Sequence, residues 1–253
     1  MHENLNVVGV IPARYQSTRL PYKLTRTLLD KTILQWVWEN ASKARLLDKL
    51  IIACDDPAIE ELAKSFGAQV VMTSAKHTSG TDRVAEVVSN IDTKIVINIQ
   101  ADEPLLHPSV IDSLATEMIN DKKLSMATIR KKIENNEEID NSNVVKVTCD
   151  KDNFALYFSR FPIPYYRDQE VSLVYYKHLG IYAYTKDFLY TFKNMPPSYL
   201  EQAERLEQLR VLEAGYKIKV IETKFDSHGI DTEEDLRIVQ ALLKDKFDQK
   251  IGQ

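Results

Sequence analysis

Cysteine is almost missing from this chain. Cys54 and Cys149 lie far apart and outside any CxxC or Cys/His spacing. Neither a disulfide framework nor a zinc site is expected, and each reads as a buried free thiol. Glycine is scarce too, with 7 in 253 residues. Neither GxxxxGK[ST] nor GxGxxG occurs, which excludes a Walker loop and a dinucleotide fingerprint. If phosphates are bound, side-chain cations rather than a glycine-rich cradle are expected to hold them. No apolar run approaches the roughly 20 residues that cross a bilayer. The opening MHENLNVVGVIPAR has no basic n-region and no secretory cleavage site, so no membrane insertion is expected and a cytoplasmic location is. An excess of positive charge is also lacking. The net charge of −4 argues against a general nucleic-acid binder. What remains is 44% hydrophobic and 28% charged, the composition of a globular protein with a real core. With no repeat, low-complexity tract or linker, residues 1–253 read as one domain.

Short apolar runs alternate with helical patterns through the first half. VVGVI (7–11), KLIIAC (49–54), AQVVM (68–72) and KIVINI (94–99) read as buried strands. Between them TILQWVWENASKA (32–44), DPAIEELAKSFG (56–67) and a stretch near 79–91 read as helices, with Asp56 as cap and Gly67 as terminator of the second. This is the βαβ signature of a mostly parallel α/β sheet with helices on both faces. The second half differs. NVVKVTCD (143–150), ALYFS (155–159) and YKHLGIYAY (176–184) follow one another without long helices, which predicts an antiparallel extension around 143–184, with 162–176 as a long loop. SYLEQAERLEQLRVLEAG (198–215) reads as one helix with a stripe of Leu200, Ala203, Leu206 and Leu209 and Gly215 at its C-cap. KIKVIE (217–222) returns to the sheet. TEEDLRIVQALLKDKF (232–247) is a last helix, capped by Asp231 or Thr232.

The chemistry concentrates where strands end. In an open α/β sheet ligands bind at the carboxyl ends of the strands. IPARYQSTRLPYK (11–23) follows the first strand and crowds Arg14, Arg19 and Lys23 together with no acid. Three such cations suit a nucleotide triphosphate and stabilise charge built up in phosphoryl transfer; the alternative is three solvated loop cations. NIQADEPLL (98–106) puts Gln100, Asp102 and Glu103 just past another strand. Asp102 there is either a Mg²⁺ ligand or a turn or helix-capping residue. In TSGTDR (78–83), Ser79 and Thr81 are candidate caps, Gly80 permits close backbone approach, and Arg83 is placed to reach an anion. In HGIDT (228–232), Asp231 stands at a helix start, where capping competes with metal binding. His178 and Tyr182, four apart, project to one face of a strand. With Arg160, Glu207 and Gln208 they form a set able to bind a polyhydroxylated carboxylate.

From VIPARYQSTRLP through TSGTDRVAEV, NIQADEP, NVVKVTCDKDNFALYFSR, YKHLGIYAY and LEQAERLEQLRVLEAGYKIKV to GIDTEEDL, the chain resembles the CMP-KDO synthetases, the 3-deoxy-manno-octulosonate cytidylyltransferases. The order and spacing of these stretches carry the likeness, rather than any one of them. The resemblance implies a nucleotide-binding α/β fold, a homodimer, and Mg²⁺-dependent joining of CTP to KDO with release of pyrophosphate, feeding lipopolysaccharide synthesis. By the same resemblance Arg14 and Lys23 hold the CTP phosphates, supported by Arg19 and Arg83. Ala13 and the loop at Ser79 and Gly80 line the nucleotide pocket, and Asp102 and Asp231 bind Mg²⁺. Gln100, Arg160, His178, Tyr182, Glu207 and Gln208 surround KDO. Alternatives are the same chemistry on a related 2-keto sugar acid, such as an 8-amino KDO, and a silent nucleotide- or sugar-binding homologue. The chain departs from the pattern at Tyr22 and Ala101, where the family has Gly, at Leu24, where it has Pro, and at Asp30 and Thr32, which replace a Gly and a Pro. If position 22 takes positive φ, Tyr22 there is strained.

Overall fold

The computed structural model describes residues 5–167 and 173–251. In chain order the elements begin with β1 (Leu5–Ala13), a 3₁₀ turn (Lys23–Thr25), β2 (Thr27–Leu28), β3 (Lys31–Thr32), α1 (Ile33–Ala41), β4 (Lys49–Cys54), α2 (Pro57–Ser65), β5 (Val70–Met72), α3 (Gly80–Val88) and β6 (Thr93–Asn98). They continue with α4 (Pro108–Asn120), β7 (Met126–Lys132), α5 (Glu137–Asp140), β8 (Lys146–Cys149), β9 (Ala155–Ser159), β10 (Tyr176–Thr185), α6 (Lys186–Lys193), α7 (Tyr199–Glu204), α8 (Gln208–Glu213), β11 (Lys219–Thr223) and α9 (Glu233–Ile251). The main sheet runs β11-β7-β10-β6-β1-β4-β5, and β8 and β9 extend it beside β10.

The expected parallel unit is present. β5, β4, β1 and β6 are parallel neighbours. Their side chains alternate between two cores. Val7 and Ile11 face one core with α1, α2 and α4, whereas Val8 and Val10 face the other with α3 and α6. Both faces are dry, so these strands read as continuous apolar runs. The chain leaves β1 for β4 on one side and returns to β6 on the other. The opening between those connections, at the carboxyl edge, is where such sheets take ligands.

Three expectations need correction. β10 is not part of the extension: it lies inside the main sheet, antiparallel to β6 and β7. Its Leu179, Ile181 and Ala183 enter one core and Tyr184 the other, and only β8 and β9 form the antiparallel extension. The single helix over 198–215 is two. Arg205 takes φ 55, ψ 46 and closes α7, Ala203 is exposed, and Leu206 and Leu209 enter the core from a second axis. Cys54 is a buried free thiol, pushed up to about 11 first by burial, but Cys149 is only half-buried. The stretches giving α4 and β7 were not picked out by periodicity. The loop over 162–176 falls partly on 168–172, outside the described residues.

Candidate active site at the carboxyl edge

Each strand of the parallel unit delivers one piece of the site. β1 ends in buried Ala13, and exposed Arg14 follows, its Nε donating to Gln16 O at 3.3 Å. The loop then turns at Tyr22, which has φ 53, ψ 32 and directly precedes the 3₁₀ turn carrying Lys23. That left-handed residue aims Lys23 inward. Lys23 is 9% exposed, and its Nζ donates to Asp102 Oδ2 at 2.6 Å and Asp231 Oδ1 at 2.9 Å. Arg19 donates to the other oxygen of Asp231 at 2.8 Å. Burial alone lowers the pKa of Lys23, but the charges and hydrogen bonds of Asp102 and Asp231 outweigh it and leave it raised.

Neither aspartate is a cap. Thr232 caps α9 instead, its Oγ1 accepting from Asp235 N at 3.1 Å, while Asp235 Oδ2 accepts from the N–H groups of Asp231 and Thr232. The Asp231 carboxylate is thereby free to face Lys23. The Asp102 backbone is locked to the same segment, its carbonyl accepting from Ile230 N at 3.0 Å. Behind Asp102, Glu103 Oε2 accepts from Ser227 Oγ at 2.6 Å. Desolvation pushes the Glu103 carboxyl up to about 7, against the lowering effect of that hydrogen bond.

A cleft of about 330 Å³ opens here. It gathers Arg14, Arg19, Lys23, Ser79, Gly80, Arg83, Gln100, Asp102 and Asp231. Ser79 caps α3, accepting from Asp82 N at 3.1 Å. Thr81 does not cap; its hydroxyl donates to Glu207 Oε2 at 2.9 Å. Gly80 packs on Pro12, where a Cβ would come within 3.4 Å of the proline ring. Arg83 is 2% exposed and committed to Asp55, at 2.8 Å, and to Thr73. Asp55 and Thr73, just past β4 and β5, are residues sequence reasoning missed. The signal was available, because both stand in the first position after a strand of the parallel unit.

Gln100 joins the cleft to the strand carrying His178 and Tyr182, and Thr81 joins it to Glu207; Arg160 is not brought to the cleft by either tie, its guanidinium meeting the carbonyls of Glu204, Ser142 and Arg205. Gln100 Nε2 donates to Gly180 O at 2.8 Å. Gly180 lies between His178 and Tyr182, whose rings are 5.4 Å apart, and a Cβ on it would stand 3.7 Å from Gln100 Cγ. Thr128 Oγ1 lies 2.8 Å from Ile181 O and 2.9 Å from His178 Nε2. Its one proton goes to a carbonyl, so His178 Nε2 donates and Nδ1 is left as an acceptor. Burial lowers His178 to about 3, which keeps the ring neutral. Tyr182 is raised well above its usual value by burial and then by the nearby carboxylates of Glu207 and Glu103. Burial also raises Glu207, partly offset by the Thr81 hydrogen bond. Gln208 is 4% exposed, and its Nε2 has no hydrogen-bond partner among the described residues. Arg160 stands at the end of β9, its Nε donating to Glu204 O at 2.7 Å and its Nη1 to Ser142 O at 2.9 Å.

The donor chemistry fits Mg²⁺. Asp102 Oδ2 and Asp231 Oδ1 converge on one point, now held by the Lys23 ammonium. Among the described residues no group of three or more His, Cys, Asp or Glu is placed to hold a metal. Two hard carboxylates, with the rest of the shell left to phosphate oxygens and water, is the set Mg²⁺ prefers.

The sequence pattern of the Cytidylyltransferase family matches residues 8–218. A 3-deoxy-manno-octulosonate cytidylyltransferase of Solibacter usitatus is 48% identical over 97% of this chain and 98% of that protein. The chain belongs to the 3-deoxy-manno-octulosonate cytidylyltransferase family. The enzyme of that name from Fusobacterium nucleatum is 46% identical over 95% of this chain and 98% of its own length. A solved structure of CMP:2-keto-3-deoxy-manno-octonic acid synthetase complexed with CTP superposes with a TM-score of 0.90, at 40% identity, over 95% of this chain and 99% of that one. The protein is thus a nucleotidyltransferase, and its fold is that of the family.

Proposed function

We propose that the protein joins CTP to 3-deoxy-manno-octulosonate, releasing pyrophosphate and giving CMP-KDO for lipopolysaccharide biosynthesis. The observation that carries this reading is the junction of two chemistries at one edge. A cationic cleft centred on Lys23, Asp102 and Asp231 meets a sugar-reading group through Gln100. The 2-hydroxyl of the sugar acid attacks the α-phosphorus in line, and pyrophosphate leaves. Arg14, which has no carboxylate partner within the protein among the described contacts, meets the phosphates. Lys23 swings from its two carboxylates toward the α-phosphate and offsets charge there. Arg19 supports the leaving group. Arg83 acts from behind, where its ties to Asp55 and Thr73 fix the start of α3. Ala13, Ser79 and Gly80 shape the nucleotide wall. Asp102 and Asp231 would hold Mg²⁺, which when bound lowers the pKa of the attacking hydroxyl and orients it.

For the sugar, the N–H groups of Arg160 beyond those donated to the Glu204, Ser142 and Arg205 carbonyls take the carboxylate. His178 Nδ1 accepts from a hydroxyl, the Tyr182 phenol donates, and Glu207 and Gln208 read the far hydroxyls. No covalent intermediate is required, in keeping with a Cys54 thiol whose pKa is pushed up by burial. The protein is a homodimer in this reading. Exposed Leu156, Phe161 and Tyr199 near the antiparallel extension support that state, and sedimentation tests it. Work in the cytoplasm belongs to this reading; no helix among the described residues is long and apolar enough to cross a membrane.

The test is pyrophosphate release from CTP plus KDO, with and without Mg²⁺, with ATP, GTP and UTP alongside. The reading requires release that depends on KDO, CTP and Mg²⁺ together. Release with an 8-amino KDO but not with KDO would move the substrate while keeping the chemistry. Silence with every sugar acid would overturn the reading.

A further inference from the structure

The break between α7 and α8 has a visible cause, and it sits on the sugar side of the site. Glu204 closes α7, and its carboxylate is turned away from the helix onto the end of β9. Oε1 accepts from Ser159 Oγ at 2.7 Å and Oε2 from Arg160 N at 2.9 Å. Its carbonyl, one of the orphan acceptors of a helix end, accepts from Arg160 Nε at 2.7 Å. One residue thus exchanges three hydrogen bonds with the Ser159–Arg160 step. Arg205 then takes its left-handed conformation, Leu206 drops into the core, and Glu207 and Gln208 open α8 facing Thr81 and the interior.

The β9 side of this knot is anchored independently. Lys146 has no solvent exposure, and its Nζ donates to Asn141 O at 2.9 Å, Val144 O at 2.6 Å and Arg160 O at 2.6 Å. Arg160 is therefore fixed from behind, and Glu204 registers the α7–α8 corner against that fixed point.

We propose that Glu204 is a positioning residue for the sugar acid: by tying the end of α7 to Ser159 and Arg160 it sets both Arg160 and the Glu207–Gln208 step around the bound sugar. The proposal rests on the reading that those three residues hold the sugar. Glu204 itself does not touch substrate. Its carboxylate already has two donors, and what it controls is the corner that follows it.

The experiment measures KM for KDO and for CTP, with thermal stability, in Glu204→Ala, Glu204→Gln and Ser159→Ala. Glu204→Ala is expected to raise KM for KDO at least tenfold while KM for CTP stays within twofold. Glu204→Gln keeps one acceptor and is expected to recover most of the loss. Ser159→Ala removes one donor to Glu204 together with the acceptor of Phe161 N; it is expected to raise KM for KDO about threefold in a protein that still folds, which keeps the test alive if Glu204→Ala folds poorly. Equal changes in both KM values, or a lowered melting temperature with KM for KDO unmoved, would overturn the proposal. Glu207→Gln serves as the control. If it leaves KM for KDO unchanged, the sugar-site reading fails. If it raises that KM while Glu204→Ala does not, only the positioning role of Glu204 fails.

Discussion

Lys23→Met is expected to tighten divalent-cation binding in the absence of nucleotide. The Lys23 ammonium uses Asp102 Oδ2 and Asp231 Oδ1, at 2.6 and 2.9 Å, the same oxygens a metal would take. A hydrogen bond to a charged group contributes roughly 1.5–3 kcal/mol net. The two aspartate side chains are 25% and 39% exposed, so screening favours the low end, and together the two bonds amount to about 3 kcal/mol. A cation that displaces the ammonium forgoes that amount. At 1.4 kcal/mol per tenfold, removing the competitor should tighten metal affinity by about a hundredfold. Methionine keeps the length and apolar stem of the side chain and removes the charge. Binding of Mn²⁺, read by electron paramagnetic resonance without CTP, should be weak in the natural protein and far tighter in Lys23→Met. Adding Asp102→Asn to that variant should abolish the gain. Equal Mn²⁺ affinity in the natural protein and Lys23→Met would refute the reasoning, because the ammonium and the metal would then not share a site.

Asp102→Asn or Asp231→Asn should lower turnover by two orders of magnitude or more with the fold intact; near-normal rates at saturating Mg²⁺ would remove both from the metal site. The Glu103 carboxyl, with a folded-state pKa of about 7 against an ordinary 4.5, binds its proton more tightly when folded. Its contribution is full below about pH 4.5 and is lost as pH rises through about 7. Glu103→Gln, which still accepts from Ser227, should therefore stabilise the protein by about 3 kcal/mol at pH 8 and by less than about 1 kcal/mol at pH 5, as measured by denaturant unfolding. His178, lowered to about 3, should show no imidazole titration between pH 5 and 8 by NMR, and an inflection there would contradict its neutral role. Tyr22→Gly relieves about 1–2 kcal/mol of left-handed strain and gives up the Tyr15 ring contact at 4.8 Å, worth about 0.5–1.5 kcal/mol. Stability should shift by less than about 1 kcal/mol, with turnover equal or higher, and a collapse in rate would give Tyr22 a role of its own.

The parallel half was legible because its strands are buried on both faces and its helices carry their own punctuation. Asp56 accepts from Ala58 N, and Gly67 takes φ 79, where the sequence placed the start and stop of α2. The second half was harder for a physical reason. β10 alternates buried and half-buried residues and enters the sheet antiparallel, and nothing in the pattern of a single strand encodes its neighbour's direction. The stripe through 198–215 has good helical period, but a tertiary interaction breaks it, since Glu204 gains more partners on β9 than a continuing helix would give it. Local propensity is a weak prior against that.

The site itself was legible by position and only partly by role. Arg14, Arg19, Lys23, Asp102 and Asp231 do share one cleft, because strand ends of a parallel unit converge on one edge. What spacing alone could not give is how the charges pair. Asp231 lies 208 positions from Lys23, and its orientation depends on Thr232 and Asp235 taking over the cap of α9. Likewise Lys23 reaches Asp102 because Tyr22 reverses the chain with positive φ just before it. Tyr22 keeps a backbone path that glycine would favour, at a strain partly offset by Tyr15. A strained backbone immediately before the central cation is where strain is expected when a site must hold one geometry against the preferences of its own loop.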